Sequence, residues 1–217
     1  MFHLDPIKIL LTLPGIILGL ALHSFVQAYA ADRLGDITPR DEGRLTLEPL
    51  PHIDVIGLIL FILAGFGWAK PVEVNRYNFK NPRQDSIMVS LSGPMANFAL
   101  TLFSFIVLKI LHFFGLFDAI HHTIANGIWH IIIYTARVNL VLFLFNLLPI
   151  YPLDGYHLFF HMMPYDNRLK FHRLQRFSRI ILVIMIVIPI PHQTIAQYLF
   201  DPIVSSVFSG LFALFRF

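Results

Sequence analysis

Three groups of residues in this chain carry polar chemistry into strongly apolar sequence. His23 and Gln27 stand four residues apart, a spacing that puts both on one face of a helix. Gly15 and Gly19 continue that stripe, and small residues there let a second helix approach closely. Asp154 sits in the stretch Asn146-Leu147-Leu148-Pro149-Ile150-Tyr151-Pro152-Leu153-Asp154-Gly155. Its two prolines break a helix and free backbone groups. Ser92-Gly93-Pro94-Met95-Ala96-Asn97 places Gly93 and Asn97 one turn apart. Each group has a plain use. His23 and Gln27 would hydrogen-bond across a helix seam, Asp154 would sit at an interfacial helix end, and Asn97 would be a packing amide. Each also has a functional use, as part of one buried polar site.

The surrounding sequence decides the medium in which that chemistry would run. The chain has 217 residues, 56% hydrophobic and 13% charged, with mean hydropathy +0.68. Soluble domains carry about 25% charged residues, so the apolar excess here must face lipid. The runs Ile7 to Ala31, Ser86 to Phe114 and Ile128 to Ile150 each hold a single Lys or Arg and are long enough to span a bilayer, which takes roughly 20 residues. Ile180 to Ile190 and Ile195 to Phe215 add two more apolar stretches. The first run lacks a basic leader and a small-residue cleavage site, so it reads as a span and not as a secretory signal. A polar residue inside such a run is expensive, about 2.5 to 3.5 kcal/mol for a central Asp on insertion scales.

The expectation is an all-α membrane protein, a polytopic helix bundle in one transmembrane domain over residues 1–217. Helices are expected over Ile7 to Ala31, Ser86 to Leu111 and Ile128 to Leu148, with C-terminal helices over 179–217. Three polar segments interrupt them: Asp32 to Asp54, Trp68 to Asp85 and Gly155 to Arg179. Arg44 to Glu48 alternates polar and apolar, and Lys70 to Val74 resembles it, so each is read as a short strand. Residues 55–67 are apolar but short for a span, and are read as dipping in and returning; the alternative, a full span, would put Arg33, Arg40 and Arg44 with Lys109 on the other side. The re-entrant arrangement gathers Arg33, Arg40, Arg44, Lys70, Arg76, Lys80, Arg83 and Arg168 to Arg179 on one side. By the positive-inside rule that side is cytoplasmic and the N-terminus is outside. Cysteine is absent, which removes disulfides and thiolate sites. The net charge of +3 comes without a basic tract interleaved with exposed aromatics, so nucleic acid is not an expected partner.

Together these segments resemble the site-2 protease family, the intramembrane zinc metalloproteases, in the short prokaryotic branch without a PDZ domain. The resemblance runs over 15–162. It is carried by Asp32-Arg33-Leu34-Gly35-Asp36, Gly43-Arg44-Leu45-Thr46-Leu47, Phe66-Gly67-Trp68-Ala69-Lys70-Pro71-Val72, Ser92 to Asn97 and Asn146 to Gly155. In the family, H-E-x-x-H on the first core helix supplies two zinc ligands and the base for the attacking water, and a later Asp completes the set. Here the motif reads His23-Ser24-Phe25-Val26-Gln27. The resemblance therefore implies family-equivalent metal positions at His23, Gln27 and Asp154, with zinc weak or absent. Ser24 occupies the position of the catalytic Glu. The resemblance implies that Asn97, Asn146, Tyr151 and Pro152 line the site or the substrate path. It implies a pseudoprotease that binds a transmembrane segment of another membrane protein within the lipid bilayer. The alternatives are an active protease with an unusual metal site and, from another class, a transporter or channel. No repeat or pair of broken helices supports the last.

Overall fold

The computed structural model describes residues 6–55, 70–190 and 193–216. Its helices follow the apolar runs. α1 covers Pro6–Arg33; a short α2, Thr38–Asp41, follows it. α3 covers Pro82–Phe113, α4 is the single turn Leu116–Ala119, and α5 covers His122–Asn146. α6 is Asp154–Met162, α7 is Tyr165–Val187 and α8 is Ile195–Phe215. α1, α3, α5 and α8 are each long and apolar enough to cross a membrane. This is a multi-pass membrane protein.

Small and polar residues form the seams, because lipid removes the hydrophobic advantage of pressing leucines together. A Cβ on Gly15 would lie 2.6 Å from the Thr135 Cα, and one on Gly19 would lie 2.2 Å from the Asn139 Oδ1. Asn139 uses that closeness. Its Nδ2 donates to the Gly15 carbonyl at 3.0 Å and to the Thr135 carbonyl at 2.9 Å. Thr101 on α3 donates to the Ala136 carbonyl of α5 at 3.1 Å. The pairs Gly15–Thr135 and Gly19–Asn139 rise together, so α1 and α5 run parallel. α3 runs against them: Ala31 packs beside Val89, and His23 meets Asn97 further along. α8 lies along α3 and α5 through phenylalanines. The Phe105 ring meets Phe208 and Phe212 at 5.3 Å each and Phe215 at 5.8 Å.

Two expectations need correction. Arg44 to Glu48 and Lys70 to Val74 are not strands. The Arg44 guanidinium does the joining instead, donating to the carbonyls of Pro51 and Pro71, the latter at 2.9 Å. One backbone bond, Lys70 N to the His52 carbonyl at 3.0 Å, links the neighbouring segments. Pro71 and Pro51 have no N–H with which to extend a ladder. The only strand pair among the described residues is the hairpin β1 Pro189–Ile190 with β2 Gln193–Thr194. The polar stretch Gly155 to Arg179 is also not an irregular interruption. It folds as α6 and the first half of α7, because Lys, Arg and Gln are good helix formers whatever their polarity. The expected re-entry of residues 55–67 falls almost wholly outside the described residues.

The α1–α5 seam is testable. Gly15→Ala forces backbone apart and should destabilise the bundle by about 1–3 kcal/mol. Gly127→Ala on α5, where a Cβ would meet nothing within 4 Å, should be neutral or stabilising by up to about 1 kcal/mol. Unfolding in detergent reads both, and equal effects would refute the seam.

Candidate functional site

The polar residues singled out in the sequence meet where α1, α3 and the start of α6 converge. The His23 Nε2 lies 3.0 Å from the Asp154 Oδ2. The Gln27 Nε2 donates to the other carboxylate oxygen, Oδ1, at 2.6 Å. The Asn97 Nδ2 reaches the His23 Nδ1 at 3.3 Å. A donor at Nδ1 leaves the imidazole proton on Nε2, facing the carboxylate. Gly93 makes the room: a Cβ there would stand 2.5 Å from the His23 Nε2. Ser24 is buried at 2% exposure beside this cluster in sequence. Asn97 is fully buried, and its Oδ1 has no hydrogen-bond partner.

The helix break delivers Asp154. α5 ends at Asn146, the chain turns through Pro149 and Pro152, and α6 begins at Asp154 itself. Gly155 permits the turn, since a Cβ there would lie 2.3 Å from the Leu147 carbonyl oxygen. Asn146 takes no part in the cluster's hydrogen bonding; its Nδ2 donates to the Leu142 carbonyl of its own helix at 3.0 Å. Tyr151 stacks edge-on against Tyr156 and His157. Pro152 follows it through a cis peptide bond.

The donor set does not fit zinc. A zinc site takes imidazole, thiolate and carboxylate ligands, three of them in catalytic sites. This cluster holds one imidazole and one carboxylate. Its third arm is a carboxamide that turns its Nε2 to the carboxylate. Among the described residues, no three His, Cys, Asp or Glu side chains come together as a metal-binding group. Two further histidines, His52 and His157, are engaged elsewhere. The His52 Nε2 bonds the Thr46 carbonyl at 2.8 Å, and the His157 Nδ1 bonds the Arg76 Nη2 at 2.7 Å.

A second cluster lies further along α6 and escaped the sequence reading. The Arg76 guanidinium donates to the His157 Nδ1 and, at 2.5 Å, to the His161 Nε2. Arg83 and Arg168 both donate to the His161 carbonyl, at 2.9 and 3.2 Å. The available signal was the spacing of His157 and His161, four apart like His23 and Gln27. Burial, followed by the neighbouring Arg76, pushes the His157 imidazole down to about 4. Burial, Arg76 and Arg168 push His161 down to about 4 as well. Both rings are therefore neutral acceptors at pH 7, as their bonds from Arg76 require.

Fold and cluster together define a multi-pass membrane protein whose first helix and broken third span share one polar centre. The chain belongs to peptidase family M50, whose model matches residues 55–189. That match includes Asp154 and begins after the helix that carries His23 and Gln27. Relatives extend further. The chain is 38% identical over 81% of its length to "Putative zinc metalloprotease YwhC" of Bacillus subtilis, covering 79% of that protein. It is 34% identical over 68% of its length to "Putative zinc metalloprotease Rip2" of Mycolicibacterium smegmatis, covering 55% of it. It is 30% identical over 82% of its length to the protein of the same name in Mycobacterium tuberculosis H37Rv, covering 67% of it. No solved structure gives a significant match.

The histidine shifts set a pH dependence. Unfolded imidazoles titrate near 6.5, so between about 6.5 and 4 the unfolded chain binds more protons than the folded one. The stability from this cluster is complete above about pH 6.5 and declines as pH falls toward 4. Thermal unfolding of the full chain in detergent should show the midpoint falling across that window. The slope should flatten in His157→Gln with His161→Gln, since an amide oxygen accepts from Arg76 without titrating. An unchanged slope in the double variant would refute the assignment.

Proposed function

We propose that this chain is a non-hydrolysing member of family M50 that binds a membrane segment of a partner protein without cutting it. The observation that carries this reading is the closure of the Asp154 carboxylate. One oxygen faces the His23 Nε2 and the other accepts from the Gln27 Nε2. The carboxylate and the imidazole serve each other, and the arm that would complete a ligand set is an amide. Ser24 adds the second deficit. Its hydroxyl is a poor base near pH 7 and lacks the reach of a Glu side chain. General-base help contributes about 10²–10⁴-fold in rate. The Gly93 cradle and the Asn97 contact hold the imidazole in place without any metal. His23, Asn97 and Asp154 are then a structural lock for the bundle.

The test is metal analysis and cleavage of a helical membrane substrate, with the unmodified chain beside Ser24→Glu combined with Gln27→His. The unmodified chain should carry well under one zinc per molecule and cleave nothing that a chelator inhibits. The double variant should take up about one zinc. Either single change should do much less, because base and ligand act as a unit. Tight stoichiometric zinc and chelator-sensitive cleavage by the unmodified chain would instead identify an active protease with an unusual metal site.

We also place the end of the bundle that carries Arg76, Arg83 and Arg168 in the cytoplasm. These residues converge on α6, and positive charge near spans is retained on the cytoplasmic side. The chain has no cysteine, so single cysteines at Lys80 and Lys170 can be labelled cleanly. Neither should react with an impermeant reagent on intact cells, and both should react after permeabilisation. External labelling of either would reverse the topology.

A further inference from the structure

We propose that the cleft between the Tyr151 turn and α7 binds the phosphate group of an anionic phospholipid, whose acyl chains lie along the apolar half of α7. The cleft has a volume of about 700 Å³ and is lined by Tyr151, His172, Arg173, Gln175 and Arg176. Pockets of roughly 300–1,000 Å³ suit organic ligands of moderate size. A smaller recess of about 160 Å³ shares Tyr151, His172 and Gln175 with it and reaches inward to Arg76, Tyr156 and His157. Among the described residues, no carboxylate lines either space. Among the described residues, Arg76, Arg173 and Arg176 form no ion pair. Two arginines, Arg173 and Arg176, thus line the cleft without a counter-ion among the described residues, and a third, Arg76, lines the recess beside it.

The charge in the recess is felt by its neighbours. Burial, and after it Arg76, lowers the proton affinity of His157 and His161, so those rings are neutral at pH 7. Polar groups that can accept or donate are already oriented there. The Tyr156 hydroxyl lies 3.0 Å from the His172 Nδ1 and donates to the Gln175 Oε1 at 3.4 Å. A phosphate oxygen brought between Arg173 and Arg176 would meet the bidentate donor geometry that guanidinium groups offer to phosphate.

The form of α7 selects a lipid over a free anion. Its first half carries Arg168, Lys170, Arg173 and Arg176, and its second half is the run Ile180 to Val187. Phe177, Ile180, Ile181 and Ile184 are exposed and continue from the cleft along the helix. A helix that changes from basic to apolar along its axis sits with its basic half at headgroup level and its apolar half in hydrocarbon. A phospholipid matches both halves at once: its phosphate opposes the arginines, and its chains cover the exposed apolar side chains.

The full chain in zwitterionic detergent, titrated with short-chain phosphatidylglycerol and with short-chain phosphatidylcholine, tests this, with bound lipid counted by native mass spectrometry. Each interfacial Arg is expected to favour the anionic lipid about five-fold. Phosphatidylglycerol should therefore be retained roughly 25-fold better than phosphatidylcholine, and Arg173→Gln with Arg176→Gln should remove that preference. Lys170→Gln, on the same helix but outside the cleft, should change it less than about two-fold. Inorganic phosphate and glycerol phosphate, added to the unmodified chain at the lipid concentration, should not displace the lipid. Equal retention of the two lipids, an effect of Lys170→Gln as large as that of the double variant, or displacement by phosphate alone would each overturn the proposal. The lipid comparison and the phosphate competition use the unmodified chain and hold even if the double variant fails to fold.

Discussion

A carboxylate held among apolar helices organises this molecule. Asp154 would cost about 2.5 to 3.5 kcal/mol in the middle of a spanning segment. It is retained because both of its oxygens are engaged, by His23 on one side and Gln27 on the other. That requirement propagates outward. The two donors must share a face of α1, which fixes its rotation. His23 must be flanked by Gly93 and reached by Asn97, which fixes the depth of α3. Asp154 must begin a new helix at that level, which the break after α5 provides.

α6 joins this centre to the basic end of the bundle. Within nine residues it carries Asp154 in its first turn, then His157 and His161, to which Arg76 donates. Arg83 and Arg168 are tied to its C-terminal carbonyls. A single short helix therefore transmits position from the buried carboxylate to the segment Arg76–Asn78 and to the start of α7. The cluster of neutral histidines is the softest part of that linkage in acid.

Much of the bundle was legible because membrane solvent imposes simple rules. Long apolar runs had to be helices: α1 begins and ends within two residues of the boundaries expected, while α3 begins four residues and α5 six residues earlier than expected. His23, Gln27, Asn97 and Asp154 were visible as polar groups that lipid would not tolerate alone, and the structure brings all four together. Asn146 was visible for the same reason but spends its amide locally, since one helix turn offers a carbonyl as readily as a distant partner does. The strands failed because alternation over five residues says nothing about where N–H groups find acceptors. The prolines at 51 and 71 and the Arg44 side chain settled that. The Arg76–His157–His161 cluster stayed hidden because its members lie 81 and 85 positions apart in segments whose polarity reads as ordinary loop.

The phenylalanines of α8 carry a mechanical consequence. α1, α3 and α5 are joined by directional hydrogen bonds through Asn139, Thr101 and Asn97, so sliding any one of them breaks a bond. α8 meets Phe105 with Phe208, Phe212 and Phe215, rings spaced four and three residues apart on one face. Displacement by one helical turn, about 5.4 Å, replaces one ring at Phe105 with the next. The link from Arg137 to Asp201 is half-exposed, and such pairs contribute only about 0–1 kcal/mol. The bundle is thus a three-helix stator with a fourth helix running on a toothed track, and its compliance is concentrated along that one side.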